Sequence, residues 1–342
     1  MNCNPVLVKV NRGTITESFH RGAICVVNHL KEPIYSQGDI HQLCYPRSSM
    51  KFFQQIPLLA LGGAEKFDLS LEEIAILCGS HNGEKQHVET VQKILNKGGF
   101  TEEDLECGPQ EPTLKKDKIA LYKQNIKPSK LHNNCSGKHA GFLLLCKLLD
   151  IPNQHYSSPE HKIQKMIADT CSRFYETPLE AFHYGIDGCS APIFAFTVYK
   201  QAVAYLNLIH PISFSIEEQK ACKMLLEAVQ KYPFMIAGTN RYCSELMEIA
   251  GTKVVGKTGA DGVYCLGIPD KKLGVSIKID DGKMGPQYTI AQALLSQSGL
   301  LSGDESSKLK TYVEQENYNF GGMVCGSTSY NKEINLNVYN AE

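Results

Sequence analysis

The apolar pattern changes period twice along this chain, and that constrains the fold more than any other feature. Residues 5 to 31 alternate as strands do: Val6, Val8 and Val10 share a face, and Ala23 to Val27 is a continuous apolar run. Helical spacing then takes over. Arg47 to Leu59 places Met50, Phe53 and Gln54 on adjoining turns. Asp68 to Cys78 opens on the capping box Ser70/Glu73. Glu84 to Leu95 aligns Val88, Val91 and Leu95 and is stopped by Gly98-Gly99. Residues 107 to 131 are rich in Lys and Pro and read as a long loop. Ser136 to Leu149 reads as a buried helix, Pro159 to Phe174 as an amphipathic one with Pro in its first turn. Pro192 to Leu206 and Ile216 to Gln230 follow as helices, the second led by Ser215/Glu218. The strand pattern then returns in Lys253 to Val255, Gly262 to Leu266 and Gly274 to Ile279. Tyr288 to Ser296 predicts a helix and Ile334 to Val338 a last strand.

Strands at both ends and helices between them predict an α+β fold, with an antiparallel sheet of N- and C-terminal strands and a helical lobe. The expectation is one domain over 1–342, sheet-rich at about 1–40 and 250–342 and helical at about 47–250. Hydrophobic residues at 42% and charged residues at 21% suit a globular chain. Lys+Arg 35 against Asp+Glu 36 leaves no basic excess, so nucleic acid is not the expected partner and a small molecule is. The most apolar stretch, Ala140 to Ile151, is interrupted by Lys147 and too short to cross a bilayer. The first thirty residues carry Lys9, Arg12, Glu17 and Arg21 without the apolar run of a signal peptide. With thirteen Cys and no C-x-x-C spacing, a reducing, cytoplasmic setting is expected.

Three short motifs occur in order: Ser48-Ser49-Met50-Lys51 (S-x-x-K), Ser80-His81-Asn82 (S-x-N) and Lys257-Thr258-Gly259 (K-T-G). Together they are the signature of active-site serine enzymes of the penicillin-binding type. On a helix, residues three apart share a face, so Ser48 and Lys51 can meet. A lysine made neutral by burial and a helix N-terminus can take the serine proton. Taken singly the motifs are weak, since Ser307 to Lys310 and Ser329 to Lys332 also fit S-x-x-K; their order gives them weight. A second constellation, His132 to His139, crowds polar side chains at a helix start and suits a carboxylate or an oxyanion. A third, Gly185 to Pro192, has Gly on both sides of Ile186-Asp187, a turn that presents Asp187 to an ammonium group. An anion site beside a cation site describes recognition of an α-amino acid. The plainer account makes these ordinary caps and turns, with Cys135 and Cys189 as inert buried thiols.

At these residues the chain resembles the rhizobial-type L-asparaginases, the third structural class, also called asparaginase II. The resemblance runs from about residue 5 to 300. It rests on Glu17 to Gly22, Tyr45 to Lys51, Ser80 to Glu84, His132 to Gly141, Gly185 to Pro192, Ala237 to Thr239 and Gly256 to Gly262. It implies a fold related to serine β-lactamases and glutaminases, and hydrolysis of L-asparagine to L-aspartate and ammonia. By motif it implies Ser48 as nucleophile, Lys51 as base, and Ser80 with Lys257 as a second Ser–Lys pair. Asp187 would hold the substrate ammonium, with Arg47, Asn133, His139 and Gly188 on the substrate side. Cys135, Lys138 and Cys189 match positions that bind Zn2+, which a lysine can ligate only when neutral. A homodimer is also implied. Ser190 stands where the family commonly has Gly. The competing expectations are a glutaminase or other hydrolase of the β-lactamase fold, and an amino-acid- or zinc-binding protein without turnover.

Overall fold

The computed structural model describes residues 3–339. In chain order the strands are β1 (Val6–Arg12), β2 (Ile15–Val27), β3 (Pro33–Gln37), β4 (Leu43–Cys44), β5 (His183–Ile186), β6 (Pro192–Thr197), β7 (Val255–Gly259), β8 (Val263–Ile268), β9 (Leu273–Ile279), β10 (Glu314–Tyr318) and β11 (Val324–Tyr330). The helices are α1 (Lys51–Ala60), α2 (Gly63–Lys66), α3 (Leu71–Leu77), α4 (Lys85–Gly98), α5 (Lys115–Lys123), α6 (Ser136–Leu148), α7 (Lys162–Phe174), α8 (Val198–Ile209), α9 (Ile216–Lys231), α10 (Tyr242–Ala250), α11 (Pro286–Gln297), α12 (Gly303–Lys308) and α13 (Lys310–Val313). Among the described residues no helix is long and apolar enough to cross a membrane.

The chain divides into two compact units, each built from separated segments. The first comprises residues 1–49, 196–210 and 249–342. It holds an antiparallel sheet in the order β10-β11-β1-β2-β9-β8-β7, with β3 also on β2. β1 joins the two ends of the chain, pairing Val8 with Tyr330 on one side and with His20 on the other. β2 meets β9 with Ile24 opposite Ile277. One face is covered by α8, whose Val198, Ala202, Val203 and Leu206 pack with Ala23, Cys25 and Val27. At Gly274 a Cβ would lie 2.0 Å from the carbonyl oxygen of Ala202, so strand and helix touch backbone to backbone. β7, which carries Lys257-Thr258-Gly259, is an edge strand, as K-T-G chemistry requires of a strand that a substrate can approach.

The second unit comprises residues 50–195 and 211–248. Its axis is α1, buried from Lys51 to Leu59 and packed by α6, α7 and α9. A helix buried all round needs an apolar surface all round. Phe53 supplies part of it, against Phe174 at 5.5 Å and Tyr175 at 4.9 Å between ring centroids. α3 and α9 begin on the expected capping boxes, Ser70/Glu73 and Ser215/Glu218. α4 ends where Gly99 takes the left-handed conformation at φ +74°.

Four expectations need correcting. Pro192–Thr197 is a strand, and the helix begins only at Val198, capped by Thr197. Its aromatic and β-branched residues suit a pleated surface, and Pro192 can open a strand as well as a helix. Residues 107 to 131 contain α5, none of whose residues is buried; with no apolar face it has no periodicity to read. α7 starts at Lys162 under the cap of His161, so Pro159 lies before its first turn. Ile334 to Val338 is irregular, and the C-terminal strand of the sheet is Val324–Tyr330. α8 is part of the sheet unit.

Candidate active site

In the sheet unit, Ser48 is half-buried in the 3-10 turn Arg47–Met50, directly ahead of α1. The turn is held from beneath. Ser49 donates to the Pro46 carbonyl through its amide (3.2 Å) and its hydroxyl (2.8 Å). The buried hydroxyl of Tyr205, on α8, donates to the Ser49 carbonyl at 2.9 Å. Arg47 takes a left-handed backbone at φ +53°, rare for a side-chain-bearing residue, and its guanidinium pairs with Asp261. A Cβ on Gly259 would lie 2.1 Å from the Pro46 carbonyl oxygen, which is why K-T-G ends in glycine: β7 runs against the turn that carries Ser48. Lys257 is fully buried on β7 and donates to the Thr258 carbonyl at 3.2 Å. The Thr258 hydroxyl meets the Tyr288 hydroxyl at 2.9 Å.

In the helical unit, Lys51 is the first residue of α1 and is 1% exposed. Its Nζ lies 3.0 Å from the Ser80 hydroxyl, donates to the Asn134 carbonyl at 3.2 Å, and donates also to the Gly79 carbonyl. Two of the three expected motifs, S-x-x-K and S-x-N, therefore meet in this unit through Lys51 and Ser80. Three acceptors around one amine match the three N–H donors of a lysine side chain.

The Ser80 loop is clasped by a second segment. Ser80 and Asn82 donate backbone bonds to Ile236 (2.7 Å) and Ala237 (2.9 Å). Glu84 accepts from the Thr239 amide (2.8 Å), the Thr239 hydroxyl (2.7 Å) and the Asn82 side chain (3.1 Å). Burial pushes the Glu84 carboxyl up, but these donors outweigh it and hold it below the usual value. Arg241 donates to the Asn82 side-chain oxygen Oδ1 at 2.8 Å. Behind the loop His81 stacks on His87 at 4.9 Å, and His87 on Phe234 at 4.6 Å. Both rings are neutral. His81 Nδ1 accepts from Gly83 and His87 Nδ1 from Glu84, leaving Nε2–H to donate to the Ser136 hydroxyl and the Phe234 carbonyl. Burial, first of all, lowers the pKa of each.

The third constellation folds onto the second within the same unit. Cys135, the residue before α6, lies with Asp187 and Cys189 so that their ligand atoms are within 4.8 Å of one another. Lys138, one turn into α6 and 1% exposed, donates to the Cys189 sulfur at 3.0 Å. The neighbouring Cys135 thiol first, and the Lys138 charge after it, hold the Cys189 thiol well below its usual range, and Cys135 is correspondingly pushed up. Burial works against the Lys138 ammonium, yet the facing Cys189, Cys135 and Asp187 charges raise its pKa. Asn133 works on backbone: it donates to the Cys107 and Gly108 carbonyls and accepts from the Cys135 amide at 2.9 Å. His139 is buried beside the thiols. The turn at Asp187 closes with Ser190 donating to the Asp187 carbonyl at 2.9 Å. Its left-handed residue is Ser190 (φ +74°), whereas a Cβ on Gly188 would meet nothing within 4 Å. That conformation gives a physical reason for the glycine the family favours where this chain has Ser190.

Gly137 shows why the α6 motif needs a glycine. A Cβ there would lie 2.3 Å from the Ile76 carbonyl oxygen of α3. Gly137→Ala is expected to destabilise the fold by about 1–3 kcal/mol, as overpacking does. Urea unfolding checks this, and an unchanged midpoint would contradict the close approach.

Of the side chains just described, sequence reasoning gave no role to Glu84, His87, Tyr205, Phe234, Arg241 and Tyr288. Glu84 closes the motif Ser80 to Glu84 and could have been found there; the others carry no local signal.

These sites belong to an amide hydrolase of the asparaginase type. The profile of the L-asparaginase II family matches residues 8–330, and the chain belongs to that family. No curated protein matches it closely enough to count. Among solved structures it is similar to Mglu in its native form (TM-score 0.48, 12% identity, covering 86% of this chain and 68% of that one). It is also similar to a β-lactamase from Mycobacterium bovis (0.40, 13%, 81% and 94%) and to a class C β-lactamase (0.42, 14%, 78% and 89%).

Proposed function

We propose that the protein hydrolyses L-asparagine to L-aspartate and ammonia through an acyl-enzyme on Ser48. The observation that carries the reading is the buried Lys51, its Nζ 3.0 Å from the Ser80 hydroxyl, in a chain of the L-asparaginase II family. In the proposed reaction the Ser48 oxygen attacks the side-chain amide carbon while Lys51 takes the serine proton. Backbone N–H groups, that of Ser48 among them, hold the oxyanion. The lysine proton passes to the amide nitrogen, the C–N bond breaks and ammonia leaves. Water then attacks the ester, with a lysine as base, and releases aspartate and free Ser48. Ser80 and Lys257 form the second Ser–Lys pair of this scheme and relay the proton.

Asp187 binds the substrate ammonium in this reading, and Arg47, Asn133, His139 and Gly188 shape its surroundings. Two thiols also form a donor pair that suits Zn2+. Cys135 and Cys189 would hold the ion, with Lys138 joining only after losing its proton, while Asp187 stays with the substrate ammonium. Bound there, zinc would supply a fixed positive charge that orients an anionic substrate group. The reading extends, by family resemblance, to a cytoplasmic homodimer.

Ammonia release from L-asparagine and L-glutamine, with Ser48→Ala as the blank, tests the proposal. Ammonia from asparagine that vanishes in the variant is the expected result. Glutamine as the preferred substrate would move the assignment to a glutaminase, because one methylene separates the two amides. No ammonia from either would overturn the reading in favour of a binding protein.

A further inference from the structure

Tyr156 lies in the loop before α7 and is fully buried. Its hydroxyl oxygen accepts from the Glu106 amide at 2.8 Å and stands 2.7 Å from His139 Nδ1. A phenol has a single proton to give. Among the described residues, His139 Nδ1 is the one acceptor in reach of it, since the Glu106 group is a donor. The alternative tautomer would turn two N–H donors on the phenol oxygen and leave a buried O–H unpaired, at a cost of about 1–3 kcal/mol. Nδ1 of His139 therefore accepts, and the ring proton sits on Nε2.

That Nε2 is itself buried and makes no hydrogen bond of acceptable geometry. Cys189 is near enough for its sulfur to act on the ring. A buried donor without an acceptor is costly unless something else completes it. Its neighbours Cys135, Asp187 and Cys189 are the cluster just described, with Lys138 on the same helix one residue away.

We propose that Tyr156 is a positioning residue: it locks His139 as the Nε2–H tautomer, and this N–H donates to an oxygen acceptor of the amino-acid ligand beside Cys135, Asp187 and Cys189. The ligand half of the proposal rests on the amide-hydrolase reading of the site; the tautomer half does not. Tyr156 then bears on substrate affinity rather than on the Ser48 chemistry.

The test has two arms on the full chain. Imidazole 15N shifts at pH 7.5 are expected to show His139 as the Nε2–H tautomer in the wild type and as a mixture in Tyr156→Phe. A wild-type Nδ1–H tautomer, or an imidazolium, would overturn the lock. In the second arm Tyr156→Phe is expected to raise KM for the amide substrate about tenfold, the worth of one hydrogen bond, with kcat within about threefold. His139→Gln, which keeps a donor near Nε2, should recover part of the affinity lost in His139→Ala. A changed tautomer with unchanged KM would overturn the donor role and leave the lock standing. Should the wild type hydrolyse no amide, the 15N arm still decides the lock, and calorimetric binding of L-aspartate to the wild type and Tyr156→Phe decides the donor.

Discussion

Purified Ser48→Ala is expected to lose amide hydrolysis by at least about 10⁴-fold in kcat while unfolding at the wild-type denaturant midpoint. Loss of a nucleophile costs that much because the members of such a unit fail together. Lys51→Ala should fall nearly as far for a different reason. Lys51 contacts two carbonyls and the Ser80 hydroxyl in a fully buried place, so its removal also leaves acceptors unpaired. Stability separates the two: Lys51→Ala should unfold earlier, whereas Ser48→Ala should not. Wild-type-like ammonia release in either variant would sink its assignment. Double substitution should cost little more than the worse single one, and a multiplicative loss would mean that the two residues act in separate steps.

Mild acid should destabilise the fold well before the carboxylates titrate. His81 and His87 are buried, neutral and lowered in pKa. In the unfolded chain they titrate near 6.5, so below that pH the unfolded state binds protons the folded state refuses. Their stabilisation is therefore complete above about pH 6.5 and is lost as pH falls. His81, held well below its ordinary value, forfeits about 1.4 kcal/mol for the first pH unit below about 6.5, and His87 adds a loss of the same sign. Glu84 has the opposite sign of charge and a lowered pKa, so its contribution is lost only below the ordinary carboxylate range. Urea unfolding at pH 7.5 and 5.5 checks the window. Equal midpoints would show that one or both rings accept protons where they stand.

Much of this fold was legible because local rules and burial agree. Ser70/Glu73 and Ser215/Glu218 cap real helices, and the alternation of Val6, Val8 and Val10 is a real strand. Where the rules were ambiguous, tertiary context decided. Pro192 opens a strand because the chain needs a partner for β5, and Pro at a first position permits either outcome. α5 buries nothing, so nothing in its sequence marks a face. Ile334 to Val338 is apolar enough for a strand, yet the sheet place beside β1 is taken by Val324–Tyr330. The candidate site divides in the same way. The chain-wide resemblance supplied Ser48, Lys51, Ser80 and Lys257, and motif spacing supplied their order. That Asp187 shares a cluster with Cys135 and Cys189 depends on a turn closed by Ser190, which no spacing encodes. Tyr156 and Tyr205 act through single hydroxyls on distant backbone or ring atoms, and a buried tyrosine looks like any other in sequence.

The place of β1 between β2 and β11 has a consequence for how the chain comes into being. Val8 waits for Tyr330, which a ribosome adding about 5–20 residues per second delivers roughly 15–60 s later. Until then the N-terminal hairpin shows bare backbone on the side that β11 will occupy, and β2 lacks the cover of β9. The whole helical unit is synthesised in that interval, and Lys257, on the edge strand β7, follows that unit but still precedes β11. A ribosome stalled before residue 324 should therefore hold a chain that recruits chaperones at its N-terminus.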